Sequence, residues 1–229
     1  MSAAHGGDFG FAGRSARLEY ERRRRSREEV VPSGLRRAAA ALFGPSAAER
    51  RRLSEERAWN DGAQGEEVVA QSLASRAPGV PILHDRRMPG GRANIDHIAL
   101  AASGIYVIDT KRYRGKIEVH APLFGSPQLR IAGRDRTKLI DGLERQVAAV
   151  TAAVEDVAPQ APIHGCLCFV APEGLFSEVE LPLLRTLRIR GYPLYHVRLL
   201  AARLNSDGPL SPGEALAIGA RLAERLPPA

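Results

Sequence analysis

An α/β/α sandwich preceded by a basic helical arm is the fold class this sequence predicts, and three observations predict it. Two alternating apolar segments, NIDHIAL and GIYVIDTK, are joined by the short AASG connection and read as a β-hairpin. IHGCLCFVA is a continuous apolar run of strand length, the pattern of a strand covered on both faces. Amphipathic helices alternate with these strands, EEVVAQSLASRA before the hairpin and TKLIDGLERQVAAVTAAVEDV after it, and that order builds layers. With 229 residues and 44% hydrophobic content, the chain is long enough for one sizeable domain plus extensions.

Residues 1 to about 14 are Gly-rich and polar and are expected to be disordered. The text that follows, ARLEYERRRRSREEV, is charged almost all round, which suits a solvent-exposed or partner-bound helix. Pro32, Ser33 and Gly34 break it, and LRRAAAALF forms a short helix ended by Gly44 and Pro45. Ser46 and Glu49 make a capping box for AAERRRLSEERAW. Gly62 and Gly65 punctuate the approach to the domain, with Trp59 as a packing anchor where arm meets domain. The chain therefore divides into an arm, 1–58, and a domain, 59–229. Within the domain, Pro78 and Gly79 close the first helix, VPILHD is a strand, RRMPGGRA a basic loop, and KIEVH a third strand after the hairpin. A second polar loop leads to the long helix. LRIRG and YPLYHV add one or two strands, and VRLLAARLN and SPGEALAIGARLAERL end the chain as helices, the second capped by Ser211 with Pro212 in its first turn.

The formal charge is +7, and the excess is uneven: through Arg57 there are 13 arginines against 8 acidic residues. Such a balance favours contact with polyanions, although a solvated helical arm has the same composition. Cys166 and Cys168 lie two apart on a strand, without disulfide geometry or a zinc-type spacing, and read as small buried side chains in a reducing compartment. The N-terminal residues lack the pattern of a secretory signal, and no run reaches the ~18 apolar residues of a membrane span. The expected location is the cytoplasm, with no membrane contact.

The hairpin raises the chemical question, because it places Asp96 in one apolar strand and Asp109, with Lys111 two residues on, in the other. If the connection is symmetric about the Ala102–Ser103 bond, Asp96 falls opposite Asp109, with Cβ atoms ~4.5–5.5 Å apart. A three-residue loop with a bulge at Gly104 would shift the register by one. Like charges across a strand pair destabilise unless something positive lies between them. Lys111 supplies part of that charge, and a divalent cation would supply the rest; hard carboxylate oxygens suit Mg²⁺. Such an ion activates water and stabilises charge on a phosphodiester, and Lys111 can orient the water or stabilise the transition state. Glu66 shares a helical face with Val69, Ala70 and Leu73 and so points to the sheet, as a third ligand. A carboxylate in a first helical turn also serves the helix dipole alone.

GAQGEEVVAQSL followed by ANIDHIALAASGIYVIDTKRYRGK resembles the nuclease-related domain, NERD, of the PD-(D/E)XK nuclease superfamily, over roughly Trp59 to Phe169. The resemblance implies a restriction-endonuclease-like core with a central mixed β-sheet flanked by helices. It implies Asp96 and Asp109 as metal ligands, Lys111 as catalytic lysine, Glu66 as helix carboxylate, and Mg²⁺ or Mn²⁺ as cofactor. It also places Gln146 near the site; by its sequence context alone, Gln146 is a surface amide.

Arg86, Arg87 and Arg92 precede the Asp96 strand, and Arg112, Arg114 and Lys116 follow Lys111. Both groups bracket the carboxylates and can touch phosphates, with Tyr113 available for stacking, although solvated loop charge is the role each would have alone. GRDRTK is a further basic loop. His97 alternates to the face opposite Asp96 and reads as a core histidine. His84 and Asp85 have no triad spacing, and no phosphate-loop or nucleophile-elbow motif occurs. The expected function is metal-dependent hydrolysis of nucleic acid, DNA foremost. The alternative is a non-catalytic module that binds nucleic acid, or a protein partner, through the arm.

Overall fold

Alternation along the strands sends apolar side chains to two faces of one sheet, and a different pair of helices covers each face. In the computed structural model, residues 9–29, 44–91, 93–122, 124–171, 179–182 and 185–229 are described. In chain order the elements begin with α1 (Arg14–Glu29), α2 (Ala47–Arg76), β1 (Ile82–Arg87), β2 (Asn94–Ala101) and β3 (Gly104–Arg112). Then come β4 (Gly115–His120), β5 (Gln128–Ile131), β6 (Arg134–Asp135), α3 (Lys138–Val154) and β7 (Ile163–Val170). The chain closes with β8 (Val179–Glu180), β9 (Arg188–Ile189), β10 (Tyr192–His196), α4 (Val197–Leu204) and α5 (Pro212–Arg225).

The central sheet has six strands in the order β1-β2-β3-β7-β10-β9. It is mixed: β1, β2 and β3 form an antiparallel meander, β3, β7 and β10 run parallel, and β9 is antiparallel to β10. Helices α2 and α4 cover one face over Val69, Leu73, Ile108, Cys166 and Leu200, and α3 and α5 cover the other over Ile98, Val107, Leu143, Leu167 and Leu222. This α/β architecture, a mixed sheet flanked by helices, is consistent with a restriction-endonuclease-like core. Cys166 and Cys168 are free and buried on the α2 face. Among the described residues no helix is long and apolar enough to cross a membrane.

The hairpin takes the symmetric register, with Ala101 opposite Gly104 and Ile98 opposite Val107. A two-residue turn at Ala102 and Ser103 is sufficient because Gly104 adopts φ +136, a conformation that a side chain disfavours, and because a Cβ there would run into the Pro162 carbonyl oxygen. Both expected capping boxes form, Ser46 with Glu49 and Ser211 with Glu214.

Three features differ from expectation. The segments that Gly62 and Gly65 were expected to separate are one helix of 30 residues, so the boundary placed after residue 58 falls inside α2. Flanking good helix formers outweigh the ~1 kcal/mol that each glycine costs, and Gly65 has a packing reason, since its Cβ would lie 3.2 Å from that of Arg112 on β3. The polar loop after KIEVH contains β5 and β6, which join β4 and β8 in a second, four-stranded sheet. Residues 9–13, expected to be disordered, are docked on the domain, where His84 N–H donates to the Phe9 carbonyl. The helix expected at LRRAAAALF lies outside the described residues.

Replacing Gly104 by Ala is expected to destabilise the fold by about 1–3 kcal/mol through the disfavoured φ and the Pro162 contact. The shift of the chemical-denaturation midpoint at unchanged slope measures it.

Candidate active site

The ladder between β2 and β3 ends at the His97–Ile108 pair, and the next residues in that register are Asp96 and Asp109. Beyond this point β2 stays paired with β1 down to Asn94, so it parts from β3 where the two carboxylates sit. Both are buried. The Asp96 Oδ2 accepts the Thr110 N–H at 2.7 Å, so a side chain replaces the missing backbone partner across the opening. Lys111, on the same face as Asp109, donates from Nζ to Asp109 Oδ1 at 2.5 Å and to the Thr110 carbonyl at 3.1 Å.

Helix α2 brings Glu66 to this end of the sheet, and the buried carboxylate accepts the Gly13 N–H at 3.0 Å. A fourth carboxylate, Asp85, occupies the β1 position between the His84–His97 and Arg86–Ile95 pairs, directly across from Asp96. Asp85 is buried, has φ +50, and accepts from Ser15 N–H, Ser15 Oγ and Asn94 Nδ2. Sequence reasoning passed over Asp85. It lies among other polar residues in the strand ILHDRR, which gives it no distinguishing signal, and its partners lie 70 positions upstream at Ser15 and 9 downstream at Asn94.

Crowding of carboxylates sets the electrostatics. Burial, and then the charge of Asp109, raise the Asp96 pKa well above the ordinary carboxylate range. Burial also raises that of Glu66, followed by the charges of Asp96 and Asp85, against the opposing Gly13 N–H and Lys111. Burial works to lower the pKa of Lys111, but the charges of Asp109 and Asp96 and its hydrogen bond to Asp109 prevail and keep it cationic. Among the described residues no three acidic, His or Cys side chains already converge at metal-binding distance. The donor chemistry nevertheless fits a hard divalent cation. Asp96, Asp109 and Glu66 offer carboxylate oxygens whose mutual repulsion such an ion would relieve, and Gln146 on α3 is buried with an Oε1 that has no partner among the described residues.

The basic residues divide. Arg87 and Arg114 are exposed. Lys116 is exposed and paired with Glu118 at 2.7 Å. Arg86 is corrected: it is fully buried and donates to the Leu226 and Ala223 carbonyls at the end of α5, capping a helix rather than meeting phosphate. Arg112 is also committed within the fold, to Asp61 at 3.0 Å and to Gln64, which ties β3 to α2. Arg92 lies outside the described residues. In the arm, Arg22, Arg23, Arg24, Arg25 and Arg27 all pair with glutamates of α1 or α2. His97 packs its Nδ1 2.8 Å from that of His84, while its buried Nε2 has no partner among the described residues.

Residues 61–170 match the family model of the nuclease-related domain, NERD. That match, to a family of the PD-(D/E)XK-like nuclease superfamily, spans the segment that holds Glu66, Asp96, Asp109 and Lys111. Comparisons with curated proteins and with solved structures gave no match.

The raised Asp96 pKa has a thermodynamic consequence. The folded chain holds the Asp96 proton more tightly than the unfolded chain, whose ordinary value is 3.8, so stability falls as pH rises from that value through the raised one. Asp96→Asn keeps the oxygen that accepts from Thr110 and removes the charge. It is expected to be more stable than the wild type by roughly 1 kcal/mol or more at about pH 8, with the gap closing near pH 4. Melting temperature against pH for the two proteins checks it.

Proposed function

We propose that this nuclease-related domain hydrolyses phosphodiester bonds of nucleic acid, DNA foremost, with Asp96, Asp109 and Glu66 holding Mg²⁺ or Mn²⁺ and Lys111 acting at the scissile phosphate. The observation that carries the reading is the contact of Lys111 with Asp109 beside Asp96, at the point where β2 and β3 separate. Buried like charges are costly without a compensating cation, and a surface that only binds polyanions gains nothing from carboxylates that repel phosphate. A divalent cation at these oxygens would polarise the phosphodiester and lower the pKa of water beside it.

The chain's own residues do the remaining work. Thr110 N–H holds Asp96 and Lys111 holds Asp109, which restricts the freedom of both carboxylates before a cation arrives. The Lys111 ammonium, held cationic, meets the negative charge that builds on the phosphate oxygens as water attacks phosphorus and the alkoxide leaves. Gln146 Oε1 offers an acceptor for the attacking water. Arg87 and Arg114, exposed on either side of the hairpin, take the flanking phosphates through salt-sensitive contacts. Free Cys166 and Cys168 suit a reducing compartment such as the cytoplasm.

Labelled single- and double-stranded DNA and RNA, incubated with Mg²⁺, Mn²⁺ or EDTA, test the reading. Cutting is expected with metal only, and Asp109→Ala and Lys111→Ala are each expected to reduce it about 10²–10³-fold with binding retained. Absence of cutting under every condition, with nucleic acid bound equally by wild type and both variants, would leave the non-catalytic binding module in its place.

A further inference from the structure

We infer that the turn from Phe9 to Arg17 is a working part of this site, and that Ser15 and Asp85 are positioning residues that hold the carboxylate cluster in its competent arrangement. The functional consequence rests on the nuclease reading above; the contacts do not. Gly13 N–H donates to Glu66, while Ser15 N–H and Oγ donate to the two oxygens of Asp85 at 2.5 and 2.7 Å. Asn94, at the start of β2 and two residues before Asp96, closes the network: its Nδ2 donates to Asp85 at 2.5 Å and to Ser15 Oγ at 3.1 Å. One turn of backbone thus touches the α2 carboxylate and, through Asp85 and Asn94, the strand that carries Asp96.

The docking is built into the sequence rather than incidental. Gly10 and Gly13 have φ of +73 and +72, and a Cβ on Gly10 would run into the His84 carbonyl, while one on Gly13 would lie 2.8 Å from the Ala63 carbonyl. Only glycine permits this approach. Behind the turn, α1 is fastened along α2: Arg17 pairs with Glu67, Arg27 with Glu56, and Arg23 pairs with Glu55 and lies over the Trp59 ring. Asp85 is itself held at φ +50, a conformation uncommon for a residue with a side chain. The disfavoured backbone aims its carboxylate at Ser15 without shifting the β1–β2 register.

The test uses the full chain with Ser15→Ala, Ser15→Thr, Gly13→Ala and Asp85→Asn, and reads Mn²⁺ affinity by electron paramagnetic resonance, amide hydrogen exchange over residues 10–17, and cleavage. Circular dichroism checks that each variant is folded. Ser15→Ala, Gly13→Ala and Asp85→Asn are expected to weaken Mn²⁺ binding about 10–100-fold and to lower kcat with KM for DNA unchanged. Ser15→Thr, which keeps the hydroxyl, should restore both, a rescue that a merely structural role would not give. Unchanged Mn²⁺ affinity in the three disabling variants overturns the inference. So does tighter binding, which would make the turn a plug over the site. If the wild type neither binds Mn²⁺ nor cuts, the nuclease reading has failed and exchange alone decides: slow Gly13 and Ser15 amides that become fast in Asp85→Asn sustain the latch, and fast amides in the wild type overturn it.

Discussion

The confinement of carboxylates at one end of the central sheet is the constraint on which the rest of the site depends. Asp85, Asp96 and Asp109 stand side by side on three adjacent strands, with Glu66 brought over them by α2. Four buried acidic groups repel one another and resist desolvation, so each must be met by something positive or by a donor. Lys111 meets Asp109, the Thr110 N–H meets Asp96, the Gly13 N–H meets Glu66, and Ser15 with Asn94 meets Asp85. These donors come from β2, from β3 and from an N-terminal turn, which is why the cluster exists only in the assembled fold.

What makes the cluster tolerable is the rigidity of the layers behind it. The hairpin strands are buried along nearly their whole length, and helices packed on both faces fix the backbone from which the carboxylates project. The ladder ends where the charges begin. Natural proteins give up stability at working sites in this way, and the raised pKa values of Asp96 and Glu66 register that cost.

The net charge reads differently once pairing is known. The arginine-rich helix α1 directs its charge to glutamates of its own helix and of α2, in solvent-screened pairs that are individually weak. It follows directly on the segment whose Gly13 N–H meets Glu66, and its own Ser15 meets Asp85. Among the basic residues near the hairpin, burial separates Arg86, a helix cap, and Arg112, an interlayer tie, from Arg87 and Arg114, which face solvent.

The sequence by itself determined whatever is local in spacing. Apolar alternation with a four-residue connection narrowed the hairpin to two registers, of which the structure takes the one that sets Asp96 opposite Asp109; a two-residue step put Lys111 on the same face as Asp109, and the Ser-x-x-Glu pairs marked two helix starts, because those geometries follow from residue periods. Helical spacing likewise turned Glu66 toward the sheet. The tertiary structure decided what depends on partners far along the chain. Whether Gly65 breaks a helix or packs it against Arg112, whether Arg86 reaches solvent or the end of α5, and whether Asp85 is a stray charge or part of the cluster are set by contacts across 47, 140 and 70 positions. The docked turn at Gly13 belongs with these. A Gly-rich polar segment has too little apolar surface to order itself, and it becomes ordered because two carboxylates buried elsewhere in the chain require its N–H groups.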